Sequence, residues 1–241
     1  MGATELALGI GPPAIWVLLG VVLAVEQVSF AQLQVAHGFV AGGLAGLLIG
    51  DPFQGALLGG MIALVAGGHR PVGGVVPPDV GLGSVVAVLC WALAPAPSGR
   101  ALLVALGAGF VTADLGRHAE AWTRRRNLGF LATAEAEATP TAVRRAVAAA
   151  LGLAAFRGGL TIALALVLAP PLMHRMTPGG PAPIAILALL GGIGLAAQER
   201  LLGGQRARGL VLALAAILLM LLLAPGAWES AAGGAGLGGG R

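Results

Sequence analysis

Long apolar runs, separated by short polar segments in which every basic residue is arginine, constrain this chain more than any other feature. A hydrocarbon core of about 30 Å takes about 20 helical residues at 1.5 Å per residue. Residues 14–35, 81–97, 101–115, 146–173, 183–197 and 209–225 are apolar and reach, or nearly reach, that length. Only 10% of the residues are charged and 57% are apolar, against about 25% charged in an ordinary soluble domain. Too few polar groups exist to coat a water-soluble globule. The apolar content excludes disorder, and the 41 glycines follow no three-residue period of a fibre. The expected fold class is an all-α integral membrane protein, a polytopic helical bundle.

Several chemistries are excluded at once. Without lysine there is no Walker P-loop, no Schiff-base centre and no kinase-type Lys–Glu pair. The one cysteine, Cys90, lies in an apolar run and reads as a small packed residue, so no disulfide framework or thiolate cluster is expected. His37, His69, His118 and His174 form no metal-ligand spacing, and no nucleophile–base pair is visible, so catalytic residues, metal and cofactor are all expected to be none. The sequence pI near 11.2 does not point to nucleic acid, because the arginines gather in loops between apolar spans.

Two runs are too short to cross. Residues 38–50 and 55–68 correspond to about 20 Å of helix each, joined by Asp51-Pro52-Phe53-Gln54, a turn signal. They read as a re-entrant hairpin over about 38–68, with two short spans as the alternative. Gly38, Gly42, Gly46 and Gly50 recur every four residues and are expected to line one face for close helix packing. Beyond the hairpin, residues 69–79 hold three prolines and two glycines together with His69, Arg70 and Asp79. Irregular polar backbone between membrane elements is where a substrate site is sought, a surface loop being the plainer reading.

Six arginines crowd the stretch 116–145, expected to be a long cytoplasmic loop, and Arg200, Arg206 and Arg208 crowd a second loop. Two crossings separate these clusters, so both fall on the cytoplasmic side and both termini outside. Thr139 and Pro140 predict a capped helix start. The ends hold no signal-like segment, and 231–241 reads as a Gly/Ala tail after a single membrane domain over 1–230. In the first span, Glu26, Gln27, Ser29, Gln32, Gln34 and His37 suggest a polar lining, or else a polar helix end at the interface. Asp51 reads equally as a turn residue and a functional one, and Arg157 as either a ligand or a snorkelling side chain.

The ordered set Gly46-Leu47-Leu48-Ile49-Gly50-Asp51, Gly55, Gly59-Gly60, Gly73 and Pro78-Asp79, within about residues 26–223, resembles membrane subunit IIC of the mannose/sorbose class of bacterial sugar phosphotransferase systems. The resemblance implies a sugar-translocating permease of the bacterial inner membrane, not an enzyme by itself. It further implies an oligomeric complex with a IID-like membrane subunit and a IIB-like cytoplasmic phosphocarrier. Gln34, Asp51 and Asp79 are the matching polar positions, and with His69 they form the expected substrate-binding set. The family's phosphoryl-carrying histidines belong to other subunits. One position departs: a glutamate usual in the second hairpin helix is Ala63 here. A non-transporting scaffold or sensor derived from such a permease, and an unrelated small-solute transporter, are the competing expectations.

Overall fold

The computed structural model describes residues 10–29, 34–66 and 76–175. The runs 183–197 and 209–225, the tail 231–241, His69 and the second arginine cluster lie outside the described residues. Every regular element among the described residues is a helix: α1 Pro13–Ser29, α2 Gly38–Leu48, α3 Pro52–Ala66, α4 Val80–Ala92, α5 Gly99–Glu137 and α6 Pro140–His174. The protein is an all-helical membrane protein.

Each boundary has a local cause. Ser98 Oγ accepts from Ala101 N–H at 3.2 Å to cap α5, and Thr139 Oγ1 does the same for Ala142 N–H at 3.2 Å at the start of α6. Pro140 follows at the first helical position, where its missing N–H costs nothing. Between the two long helices Ala138 turns the chain with φ +48°, a left-handed stop. α4 is apolar all round, and its residues from Gly81 to Cys90 are all buried, so it is the central element of the bundle.

The hairpin is two short antiparallel helices of 11 and 15 residues, about 17 and 23 Å long. A Cβ added at Gly38 would stand 2.6 Å from Gly59 O, one at Gly46 would stand 2.5 Å from Asp51 O, and one at Gly42 would collide with Gly55 O. Backbone therefore lies directly against backbone, which only hydrogen at these positions permits. Gly50 departs from the expected stripe. It has φ +81° with nothing within 4 Å of an added Cβ, so it serves the turn and not the helix contact. The hairpin tip stands beside the start of α1, where an added Cβ at Gly11 would be 3.8 Å from Leu48 O. Its base stands beside the other end of α1, where Ala36 N–H donates to Glu26 Oε2 at 3.1 Å.

Two expected segments differ. The stretch 116–145 is not a loop: apart from the break at Ala138–Thr139 it is helical, and the short apolar run 101–115 is the first part of a 39-residue helix about 58 Å long. Its polar half is rich in alanine, leucine, arginine and glutamate, and carries same-face pairs such as Arg117–Asp114 at 2.6 Å and Arg124–Glu120 at 3.0 Å. No proline interrupts it, and Gly129 alone does not break it. The run 14–35 is not one continuous helix either: α1 is described to Ser29, and at Gln34 the chain bends with φ +61°. Gln34 and His37 therefore do not continue the α1 face with Gln27.

The hairpin contact yields a position-specific test. Gly42→Ala should lower stability by about 1–3 kcal/mol through overpacking. Gly43→Ala, whose new methyl would meet Ala56 Cβ at 3.6 Å, should be near neutral. Thermal unfolding of the detergent-solubilised chain measures both.

Candidate functional site

Among the described residues, the largest concentration of buried charge sits where α1, α4, α5 and α6 meet. Asp79, Glu120 and Arg157 are exposed by 3%, 8% and 7% respectively. Arg157 belongs to the middle of α6. Its Nη1 donates to Asp79 Oδ2 at 2.7 Å and to Gly116 O at 3.5 Å, and its Nη2 donates to Gln27 Oε1 at 3.1 Å. Nη2 also stands 3.3 Å from Glu120 Oε2, an ion-pair contact without the alignment of a hydrogen bond. One guanidinium thus joins side chains from α1 and α5 and the cap of α4, and such a planar fork suits the task as a lysine point charge does not.

Local sequence explains how these groups come together. Asp79 is the N-cap of α4: Oδ1 accepts from Leu82 N–H at 3.2 Å, leaving Oδ2 for the arginine, while its own N–H donates to Ala113 O at 2.9 Å. Gly116 lets α5 approach, since a Cβ there would stand 2.6 Å from Asp79 Cβ. Gly158, the neighbour of Arg157, presses against Gly20 of α1 and Ala24, where an added Cβ would stand 2.6 Å from Ala24 Cβ. Two buried atoms of the cluster keep no hydrogen-bond partner among the described residues: Arg157 Nε, a donor, and Glu120 Oε2, an acceptor.

The sequence-derived candidates that are described do not gather in one place. Asp79 is in the charge cluster. Gln34 is exposed just before the hairpin base and has φ +61°, a left-handed conformation seldom taken by a non-glycine residue. Asp51 is exposed at the tip, where Oδ1 accepts from Gln54 N–H at 2.9 Å and caps α3. His69 lies outside the described residues. Ala63 packs into the hairpin contact, 3.0 Å from an ideal Cβ at Gly38, where Ser84 Oγ also approaches at 2.9 Å. Ser84 itself donates to Val80 O at 2.6 Å.

Arg157 does not snorkel; it is enclosed. Glu120 is not among the sequence-derived candidates because its arginine-rich segment reads as a loop, although its spacing of four residues from Arg124 is a helix signal. Among the described residues no group of three metal-ligating side chains stands together.

The family model described as the PTS system sorbose-specific IIC component matches residues 13–196. A solved structure titled "Structure of membrane protein" superposes with a TM-score of 0.56 at 17% identity, covering 87% of this chain and 78% of the other. That likeness is one of fold. No curated protein sequence matches the chain significantly.

The cluster predicts a graded response to Arg157. Arg157→Gln should cost about 3–5 kcal/mol, because it strands a buried carboxylate. Arg157→Lys should recover only part of that loss, since an ammonium cannot reach Asp79, Gln27 and Glu120 together. Thermal midpoints of the purified variants report the order.

Proposed function

The chain belongs to the sorbose-specific IIC family of phosphotransferase-system components, and from that membership we propose that it is the subunit through which a sugar crosses the bacterial inner membrane. In this reading it is a multi-pass protein that works with a IID-like membrane subunit and a IIB-like cytoplasmic phosphocarrier. The chain supplies the route and the partners supply the phosphoryl group.

The observation that carries this reading is the unfilled hydrogen-bonding capacity of the charge cluster. A buried donor at Arg157 Nε and a buried acceptor at Glu120 Oε2 are the two functions that a sugar hydroxyl satisfies by itself. The proposed route follows the hairpin, from Asp51 at the tip to Gln34 and Asp79 at the base, with His69 in the segment that follows. Asp79 acts chiefly through the arginine it holds, because both of its oxygens are engaged. The hairpin is proposed to be re-entrant: its legs of about 17 and 23 Å fall short of a 30 Å core, and their glycine contact shields backbone that lipid cannot satisfy. The strained conformation of Gln34, held by His37 N–H donating to Gln34 O at 3.0 Å, suits a residue that presents its amide at a fixed angle.

A scaffold without transport is the second reading, and Ala63 favours it. The methyl group at this position packs into the α2–α3 contact and offers a sugar no acceptor.

Uptake of labelled hexoses into cells producing the chain with its IIB-like and IID-like partners should give sugar phosphate, and omission of either partner should abolish it. Gln34→Ala should lower uptake about tenfold at unchanged membrane abundance, the cost of one lost hydrogen bond to a polar substrate. Absence of uptake and of hexose binding in the complete system would select the scaffold.

A further inference from the structure

α5 carries a graded face that neither the charge cluster nor the sugar route uses. Val111, Leu115, His118, Trp122 and Arg126 recur at steps of four, three, four and four residues, so they share one side of the helix, with Arg125 at its edge. Val111, Leu115 and Trp122 are 60%, 62% and 51% exposed. The Arg126 guanidinium lies 5.3 Å from the centre of the Trp122 ring. The face therefore passes from aliphatic to aromatic to cationic within four turns.

Position along the helix gives the face a depth. Trp122 lies 23 residues beyond Gly99, about 35 Å along the axis, more than a 30 Å core, so a span that enters at Gly99 has left the hydrocarbon by Trp122. The arginines follow in the next turn. Neighbouring charges are already neutralised: Asp114 holds Arg117 and faces His118 at 3.8 Å, while Glu120 holds Arg124. Among the described residues no carboxylate pairs with Arg125 or Arg126.

We propose that this face of α5 binds an anionic phospholipid, its phosphate held by Arg125 and Arg126, its glycerol level marked by Trp122 and its chains lying along Leu115 and Val111. Charge complementarity and continuity with the exposed aliphatic side chains favour a lipid over an acidic soluble protein, which cannot follow the face into hydrocarbon. The proposal needs only that the chain is embedded in a bilayer and stands whether or not it moves sugar.

Native mass spectrometry of the full chain, released from micelles holding equal amounts of phosphatidylglycerol and phosphatidylcholine, tests it. The expected result is adducts that favour phosphatidylglycerol about tenfold, given two arginines at the headgroup level. Arg125→Gln/Arg126→Gln should bring the ratio close to one at an unchanged thermal midpoint, and Arg125→Lys/Arg126→Lys should keep the preference. Equal binding of both lipids to the wild-type chain would overturn the proposal. So would a glutamine variant that retains the preference, or arginines that capture the acidic phosphocarrier while showing no lipid preference.

Discussion

A buried guanidinium has to be met by protein, and much of this architecture is the means by which Arg157 is met. Three neighbours contribute: Asp79 at the head of α4, Glu120 in α5 and Gln27 near the end of α1. Close helix approach brings them together around it. Gly116 brings α5 against Asp79, and the Gly20–Gly158 contact brings α1 against α6 next to the arginine itself. Small residues therefore do electrostatic duty here, by letting oppositely charged side chains from distant segments share one buried site.

The same device builds the hairpin. α2 and α3 touch through Gly38, Gly42 and Gly46 on one leg and Gly55 and Gly59 on the other, which leaves little side-chain volume between two backbones. A pair held this way presents a thin, rigid wedge beside the fully buried α4. The wedge base is tied to α1 by Glu26 accepting from Ala36 N–H, at the end of the hairpin where α4 begins. Buried carboxylates and the start of a central helix thus converge at the hairpin base, where residues 76–79 lead into α4. In the proposed route, Asp51 and Gln34 are the polar groups at the two ends of this wedge.

Local signals in the sequence were reliable where a single residue sets the backbone. Thr139 with Pro140 marked a helix start, Asp51-Pro52 marked a turn, and the four-residue glycine period marked a close helix contact at three of its four positions. The fourth, Gly50, has the same spacing but a positive φ, and spacing alone does not distinguish a packing glycine from a turn glycine. Tertiary partnerships were hidden. Asp79 and Gln27 lie 78 and 130 residues from Arg157, and no local pattern joins them. Glu120 was obscured for a different reason: a dense run of arginines resembles a solvated loop, yet the same residues are strong helix formers when acidic partners stand one turn away. The fold class was legible in hydropathy; the site was not, because buried ion pairing is a property of the assembled bundle.

Asp79 and Arg157 act as one buried unit, and a double-mutant cycle measures that directly. Unfolding of the full chain is followed for Asp79→Asn, Arg157→Met and the two combined. The predicted result is a combined loss smaller than the sum of the single losses, with a coupling of about 1–3 kcal/mol. Strict additivity would mean that the two side chains do not sense one another, and that the bundle is not organised around their pairing.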